Sequence, residues 1–325
     1  MNTDRRRINA PSGGTSAPVF ARTVKEPGYL QSLRPTRTRG PNELRKIFLQ
    51  TSLVPSASGS AYLEIPTSTN TPTGKTLIPP TSSLKITASI QGPKPLPRSA
   101  PFSPSLLLTT TVKFAPFATR HRRGYIRDSV ERDLGVHVET ALRGVIIGER
   151  WPKSGVEVVI TVVEGDEDAW WGDASGGGSG NGDGGGWGLL NVLAGCITVA
   201  SAAIADAGID CVDMVSGGVA AIIKTPNGKD LVKILDPCPA EHQNIVAACA
   251  VGYLAGRDEI TELWMKGDVG ADPEELIEGA THAAVGSLSV MKEVILEGVE
   301  AKFKDQLSVN NDGLKRKQQD VEMSG

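Results

Sequence analysis

The feature that most constrains the fold is an alanine-rich apolar stretch near the middle of the chain, at 188–207. Its length and composition favour a helix that ends at Gly208, since a glycine often follows the last turn of a helix. An apolar run of this length could also cross a membrane. Because it contains Asn191, Thr198 and Ser201 and is rich in small residues, we expect instead a closely packed core helix in a soluble, intracellular protein.

Runs of β-branched and alternating apolar residues lie on both sides of this stretch. They predict strands at 47–54, 60–65, 84–90, 106–115, 156–163, 212–224, 231–235, 245–254 and 260–266. Two further helices are predicted at 126–149 and 272–304, the second with Asp272 as its N-cap and Pro273 in its first turn. The order strands, helix, strand, helix, strands, helix is typical of one compact α+β unit and argues against two domains.

Polar tails and loops are expected outside this unit. The sequence predicts a disordered basic tail at 1–21, a single domain at 22–305 and a polar C-terminal tail at 306–325. Three segments are predicted as loops, namely the Thr/Pro-rich 66–80, the segment 92–104 with its five prolines, and the glycine-rich 172–188. Arg5, Arg6 and Arg7 in the first tail suit either a nuclear-localisation signal or an RNA contact.

Charge is unevenly distributed along the chain. The net charge is −3, yet residues 1–50 hold ten Lys/Arg against three Asp/Glu. This distribution favours one positively charged face and argues against a protein that coats DNA non-specifically. The four cysteines, Cys196, Cys211, Cys238 and Cys249, form no C-x-x-C pair, which favours free thiols in a reducing compartment over a zinc site.

Common nucleotide-binding and hydrolase motifs are incomplete or absent in the sequence. The segment 73–76, Thr-Gly-Lys-Thr, ends like a P-loop, but Thr69 stands where that motif needs a glycine. The glycines at 176–186 do not have the strand–helix context of a dinucleotide fingerprint. Neither G-x-S-x-G nor H-E-x-x-H occurs. The residues therefore predict no cofactor and no metal site.

Two charged clusters remain as candidate sites. Arginines lie in the segment 34–40, Arg-Pro-Thr-Arg-Thr-Arg-Gly, and at Arg120, Arg122 and Arg123 before a predicted helix, where guanidinium and free backbone N–H groups suit phosphate oxygens. A solvated face, or ion pairs within a subunit interface, would explain them equally well. Carboxylates lie at a strand end in 164–168, Glu-Gly-Asp-Glu-Asp. Such a position suits Mg²⁺ binding or acid–base chemistry, but also an ordinary acidic turn.

These clusters and their order resemble the ribonuclease PH family over residues 25–305. The matching segments are 34–40, the basic run 120–123, the Ala-Asp-Ala of 205–207, the segment 218–223, Leu235-Asp236, and the strand–turn–strand before the last helix. The resemblance implies the ribonuclease PH fold (ribosomal protein S5 domain 2-like), built from two βαβα-like halves and assembled into six-membered rings. Active members of the family phosphorolyse RNA from its 3′ end, which requires cations that offset the repulsion between two anions.

Two features of the active members are altered in this sequence. Asp128, Glu131 and Asp133 occupy the main-helix segment where the phosphate should bind, while Asp166 keeps the acidic strand-end position. No Lys or Arg occurs within 154–221, so Asp166 is expected to lack a cationic partner and to be at most vestigial. The resemblance therefore implies a non-catalytic ring subunit of the RNA exosome. The alternative is an active phosphate-dependent 3′–5′ exoribonuclease that uses Asp166.

The resemblance also implies partners, a location and RNA contacts. The expected partners are other ribonuclease PH-like ring subunits, an S1/KH-type cap protein and RNA, with no membrane. The expected location is the nucleus and nucleolus, and also the cytoplasm, where rRNA and mRNA are processed and degraded. The expected RNA-binding residues are Arg37, Arg39, Arg120, Arg122 and Arg123. Such arginines would contact phosphates as RNA threads the ring toward a separate nuclease.

Overall fold

A computed structural model of the chain describes residues 35–66, 83–119, 122–167, 186–225, 231–242, 244–268 and 273–322, with side chains as far as 304. The tail expected at 1–21, Arg120, and nearly all of the segments 66–80 and 172–188 lie outside the described residues. The described residues form two β-sheets and three α-helices.

The first sheet has five strands in the order β1-β2-β3-β5-β4. They are β1 (Phe48–Thr51), β2 (Gly59–Ile65), β3 (Leu84–Pro95), β4 (Leu107–Phe114) and β5 (Ser154–Glu164). Neighbouring strands are antiparallel except β4 and β5, which are parallel. Along β3, Leu84, Ile86, Ala88 and Ile90 are buried, whereas the residues between them are half-buried. This alternation shows that one face of the sheet lies on the core.

The second sheet has four antiparallel strands in the order β7-β6-β8-β9. They are β6 (Val215–Lys224), β7 (Leu231–Leu235), β8 (Ile245–Leu254) and β9 (Glu259–Gly267). β6 and β8 contain continuous runs of buried residues and do not alternate. Both faces of this sheet are therefore covered at its centre.

The helices are α1 (Ser129–Arg143), α2 (Trp187–Asp206) and α3 (Pro273–Glu322). α1 packs against β4 and β9, α2 packs between the two sheets, and α3 packs on the far side of the second sheet. Sixteen of the 20 residues of α2 are buried, so this helix has almost no solvent-exposed face. By length and composition α2 could cross a membrane, but its residues are packed inside the protein. The prediction of a buried core helix at 188–207 is confirmed.

Two adjacent glycines on β6 let both neighbouring helices approach the sheet closely. A Cβ atom on Gly217 would lie 2.1 Å from the carbonyl oxygen of Ala194 on α2. A Cβ atom on Gly218 would lie 2.2 Å from the carbonyl oxygen of Ala280 on α3. Because successive residues of a strand point to opposite faces, these contacts place β6 directly between α2 and α3.

One strand is longer than the sequence predicted. β3 continues through 92–95, which belongs to the proline-rich segment expected to lack regular structure. The strand pairs with β5 again after a register shift between Gln91 and Lys94. A proline has no N–H to donate to a ladder, and Pro93 lies within this shift, where the regular pairing is interrupted.

Two helix ends also differ from the prediction. α1 ends at Arg143, and the remainder of the predicted helix 126–149 contributes only a 3-10 turn at Gly148–Arg150. α3 continues past 304 to Glu322, so the backbone of the expected polar tail is helical as far as this residue. Its Lys, Arg, Gln and Glu residues are good helix formers, so a polar segment of this composition can continue the helix.

Asp206, the last residue of α2, connects three elements. Its carboxylate accepts hydrogen bonds from the Ser52 hydroxyl at 2.6 Å, the Ser60 backbone N–H at 2.9 Å and the Lys302 ammonium at 2.6 Å. Burial alone would raise the pKa of Asp206, but the hydrogen bonds from Lys302, Ser52 and Ser60 outweigh it, so the pKa is lowered. Asp206 thus holds the β1–β2 hairpin against the end of α2 and against α3.

Asp206→Ala is expected to lower the free energy of unfolding by about 1–3 kcal/mol at neutral pH, because the backbone N–H of buried Ser60, the Ser52 hydroxyl and the Lys302 ammonium all lose a charged acceptor. A lowered pKa in the folded state adds stability above the ordinary carboxylate pKa of about 4, and this stability is lost as the pH falls through the lowered value. Urea unfolding at neutral pH and near pH 3 should therefore show a deficit that shrinks in acid. The control is Asp133→Ala, at an exposed position on α1. An equal deficit in both variants would contradict this role of Asp206.

Candidate functional site

Arg45 is the centre of a buried polar cluster between the two sheets. It lies three residues before β1 and donates to Asp166, two residues after β5, at 3.1 Å. It also donates to both carboxylate oxygens of Asp236, directly after β7, at 2.7 and 2.8 Å. Asn191 on α2 donates to Asp166 at 2.7 Å. The side chains of Arg45 and Asp166 are 1% and 2% exposed, so this cluster connects the two sheets deep in the protein.

The electrostatics of the cluster keep Arg45 and Asp236 charged. Burial alone would lower the pKa of Arg45, but Asp166 and Asp236 outweigh it and hold that pKa well above its usual value. Burial alone would raise the pKa of Asp236, but the charge and hydrogen bonds of Arg45 outweigh it and lower that pKa. One guanidinium thus compensates two carboxylates. Such an arrangement tolerates the loss of a partner poorly, because the remaining charge stays buried.

Arg37 and Arg39, both expected to bind RNA, lie beside this cluster. The guanidinium of Arg37 donates to the backbone carbonyls of Gly40 and Leu235 at 2.9 and 3.0 Å, and burial followed by the charge of Arg39 lowers its pKa. Arg39 pairs with Glu241 at 3.1 Å. These bonds join the segment before β1 to the end of β7. The RNA contacts of Arg37 and Arg39 stay a prediction, and their guanidinium groups are engaged within the chain.

The expectation that Asp166 lacks a cationic partner is wrong. The absence of Lys and Arg from 154–221 is correct for that segment, but Arg45 reaches Asp166 from 121 residues earlier in the chain. The only sequence signal for this role of Arg45 is its position close to the apolar residues Leu44 and Ile47. No spacing rule connects it to Asp166. As a result, the strand-end carboxylate is tied to Arg45 and Asn191 and points into the core.

The acidic residues of the main helix have structural partners as well. Asp128 is the N-cap of α1, accepts from the Glu131 backbone N–H at 2.8 Å and pairs with Arg123 at 2.7 Å. Glu131 is buried, accepts from the Phe114 backbone N–H at 2.9 Å and pairs with Lys113 at 3.0 Å. The three carboxylates of this segment are therefore not equally available to repel a phosphate. Two are compensated by neighbouring cations, and Asp133 is exposed.

In the basic run before α1, Arg123 makes contacts within the chain, whereas Arg122 is exposed. The Arg123 guanidinium pairs with Asp128 and lies 4.7 Å from the centre of the Phe114 ring, a cation–π contact. Arg122 is exposed, and Arg120 lies outside the described residues. The four of these sequence-predicted arginines that the structure describes thus lie on two loops, one before β1 and one before α1. Within the described part of the chain, no three His, Cys, Asp or Glu side chains lie together as a metal site would require.

Comparison with known proteins identifies the family. The sequence model of the 3′ exoribonuclease family, domain 1 (RNase_PH), matches residues 43–210, just over half of the chain. The chain belongs to the ribonuclease PH family. A solved structure of rice (Oryza sativa) Rrp46 superposes with a TM-score of 0.56 at 18% identity, over 79% of this chain and 98% of the other. The expected ribonuclease PH fold is confirmed.

Among its relatives, the chain is 48% identical to a protein of Chaetomium thermophilum named exosome complex component MTR3, over 91% of this chain and 99% of that protein. The Schizosaccharomyces pombe exosome complex component mtr3 is 29% identical over 82% of this chain and 84% of that protein. The Trp-containing Gly-rich segment, and the helix that leads into 205–208, also resemble this subunit type, mRNA transport regulator three. These relatives confirm that resemblance.

Proposed function

We propose that the chain is a non-catalytic ring subunit of the RNA exosome core, which supports assembly of the ring and threading of RNA for 3′-to-5′ processing and degradation. The observation that carries the proposal is the 48% identity, along almost the whole chain, with an exosome component of Chaetomium thermophilum. Its partners are other ribonuclease PH-like ring subunits, an S1/KH-type cap protein and RNA, including rRNA and mRNA. Its location is the nucleus and nucleolus, and also the cytoplasm.

The lack of catalysis is supported by the buried cluster. An attacking phosphate needs preorganised cations that are free to contact it, and losing such a donor costs on the order of 10²–10³-fold in rate. Here Arg45 is held between Asp166 and Asp236, and Arg123 is engaged by Asp128. Asp166 itself accepts hydrogen bonds from Arg45 and Asn191. These groups hold the fold together and leave little to bind a reacting phosphate.

We expect no phosphorolysis by the purified full-length chain, either alone or co-assembled with its ring neighbours. The assay is release of nucleoside diphosphates from a 3′-tailed RNA in the presence of inorganic phosphate. Co-purification should at the same time yield a stoichiometric ring. Phosphate-dependent release that is lost in Asp166→Asn but kept in Asp133→Asn would favour the alternative, an active exoribonuclease. A chain that stays monomeric in the presence of the other ring subunits would contradict the ring assignment.

A further inference from the structure

Two aromatic rings are exposed on the loop between β4 and α1. We call its described residues, 116–119 and 122–127, the basic–aromatic loop. Phe117 and Tyr125 are 75% and 76% exposed, whereas Phe114 at the end of β4 is 1% exposed. Exposing a large aromatic side chain forgoes its burial energy. Two such rings on one loop therefore point to a contact with another molecule.

The base of this loop is held in place by the rest of the protein. The Arg123 backbone N–H donates to the Pro116 carbonyl at 3.1 Å, which brings the two sides of the loop together. Ala118 is buried, and its carbonyl accepts from the Gly165 backbone N–H at 2.9 Å, just after β5. Phe117 and Tyr125 therefore project from an anchored base, which lowers the conformational entropy lost on binding.

The unpaired charge on the described residues of this loop is positive. Lys113 and Arg123 are paired with Glu131 and Asp128. Arg122 and Arg127, in contrast, are exposed and form no side-chain hydrogen bond or ion pair with any residue that the structure describes. Arg132, also exposed, lies further along on α1, and its guanidinium donates to the Arg127 backbone carbonyl at 3.5 Å. Along the chain, these two unpaired arginines alternate with the two exposed aromatic residues, in the order Phe117, Arg122, Tyr125, Arg127.

We propose that Phe117 and Tyr125 stack on the bases of single-stranded RNA while Arg122 and Arg127 contact its phosphates. This combination of aromatic faces with cations along a backbone is the chemistry by which proteins hold single strands without reading sequence. The carboxylates of Glu131 and Asp128 already pair with Lys113 and Arg123. Arg122 and Arg127 are left to an external anion, and the phosphodiester backbone of RNA supplies one for each. The inference rests on the proposed function and adds base contacts to it.

The test compares two oligomers of equal length, an oligoadenylate and an abasic ribose–phosphate chain, bound to the full-length chain and to the assembled ring. Phe117→Ala and Tyr125→Ala should each weaken oligoadenylate binding by about fivefold or more, the factor that corresponds to 1 kcal/mol for one stacked base. Binding of the abasic oligomer should change by less than about twofold, since phosphate contacts are kept. Tyr125→Phe should bind like the original chain, because its ring still stacks.

Matched variants separate stacking from other effects. Phe102→Ala removes a ring that is 74% exposed between β3 and β4, and it should leave both oligomers unaffected. Arg122→Gln combined with Arg127→Gln should weaken both oligomers alike and reduce the salt dependence of binding.

Two results would overturn the inference. If Phe117→Ala weakens binding of the oligoadenylate and of the abasic oligomer equally, the Phe117 side chain affects binding by shaping the loop and does not stack on a base. If Phe117→Ala or Tyr125→Ala prevents assembly of the stoichiometric subunit ring but leaves RNA binding unchanged, these aromatic side chains contact a protein neighbour. The proposed function is judged separately, by co-assembly of the original chain, so the two can fail independently.

Discussion

Arg45→Met is expected to lower the free energy of unfolding by about 3–5 kcal/mol at neutral pH. The side chain is 1% exposed and compensates both Asp166 and Asp236. Methionine replaces the aliphatic part of the side chain but leaves two carboxylates in the interior without a cation, and the desolvation of an unpaired charge is the largest part of this cost. Denaturant unfolding followed by circular dichroism measures the change. Loss of the cluster should also release the contact between the two sheets.

Two comparisons make this prediction specific. Lys46→Met replaces the next cation along the chain, which is exposed, and should change stability by less than about 0.5 kcal/mol. Arg45→Met combined with Asp166→Asn and Asp236→Asn removes all three charges and should recover a large part of the loss. If the triple variant is less stable than Arg45→Met alone, the unpaired carboxylates are not the cause of the loss.

The stability loss in Arg45→Met should also depend on pH, in a direction that follows from the pKa of Asp236. The pKa of Asp236 is lowered in the folded chain, since the attraction and hydrogen bonds of Arg45 outweigh burial. A lowered folded pKa contributes stability above the ordinary carboxylate pKa of about 4, and that stability is lost as the pH falls through the lowered value. The difference between the original chain and Arg45→Met should therefore be largest at neutral pH and smallest near pH 3. A deficit that does not depend on pH would point to lost packing.

The order of elements and the central helix could be predicted from the sequence because their signals are local. The strand at Ile245–Leu254 and the buried helix α2 show their periodicity or apolar length within a short window. The partners of Arg45 are not local, since Asp166 and Asp236 lie 121 and 191 residues away. Only the way in which the two sheets face each other brings these three side chains together.

Side-chain roles at the surface were harder to predict for a similar reason. Arg37 looked like a phosphate ligand, yet its guanidinium donates to carbonyls that the end of β7 presents. Phe117 and Phe114 lie three residues apart with opposite exposure. Residue type gives the chemistry that a side chain can perform, whereas the direction in which it points depends on how the loop is anchored by distant residues.

Gly217→Ala should destabilise the chain by about 3 kcal/mol or more, at the upper end of the usual cost of overpacking. The added Cβ would lie 2.1 to 2.5 Å from backbone atoms of Ala194 on α2. The helix has little room to move away, because even a Cβ atom on Gly195 would lie only 2.8 to 3.3 Å from side chains of Ile86, Leu84 and Leu63 in the first sheet. One methyl group would therefore have to separate the two sheets.

Gly124→Ala is the matched control for this substitution. A Cβ at Gly124 meets nothing within 4 Å, so this variant should be as stable as the original chain, or slightly more stable because alanine restricts the unfolded chain. The prediction is tested by measuring the melting temperature and the soluble yield of both variants, and only Gly217→Ala should lower them. Gly217→Ala with an unchanged melting temperature would show that α2 can shift on the second sheet, which contradicts a core packed tightly on both sides of this helix.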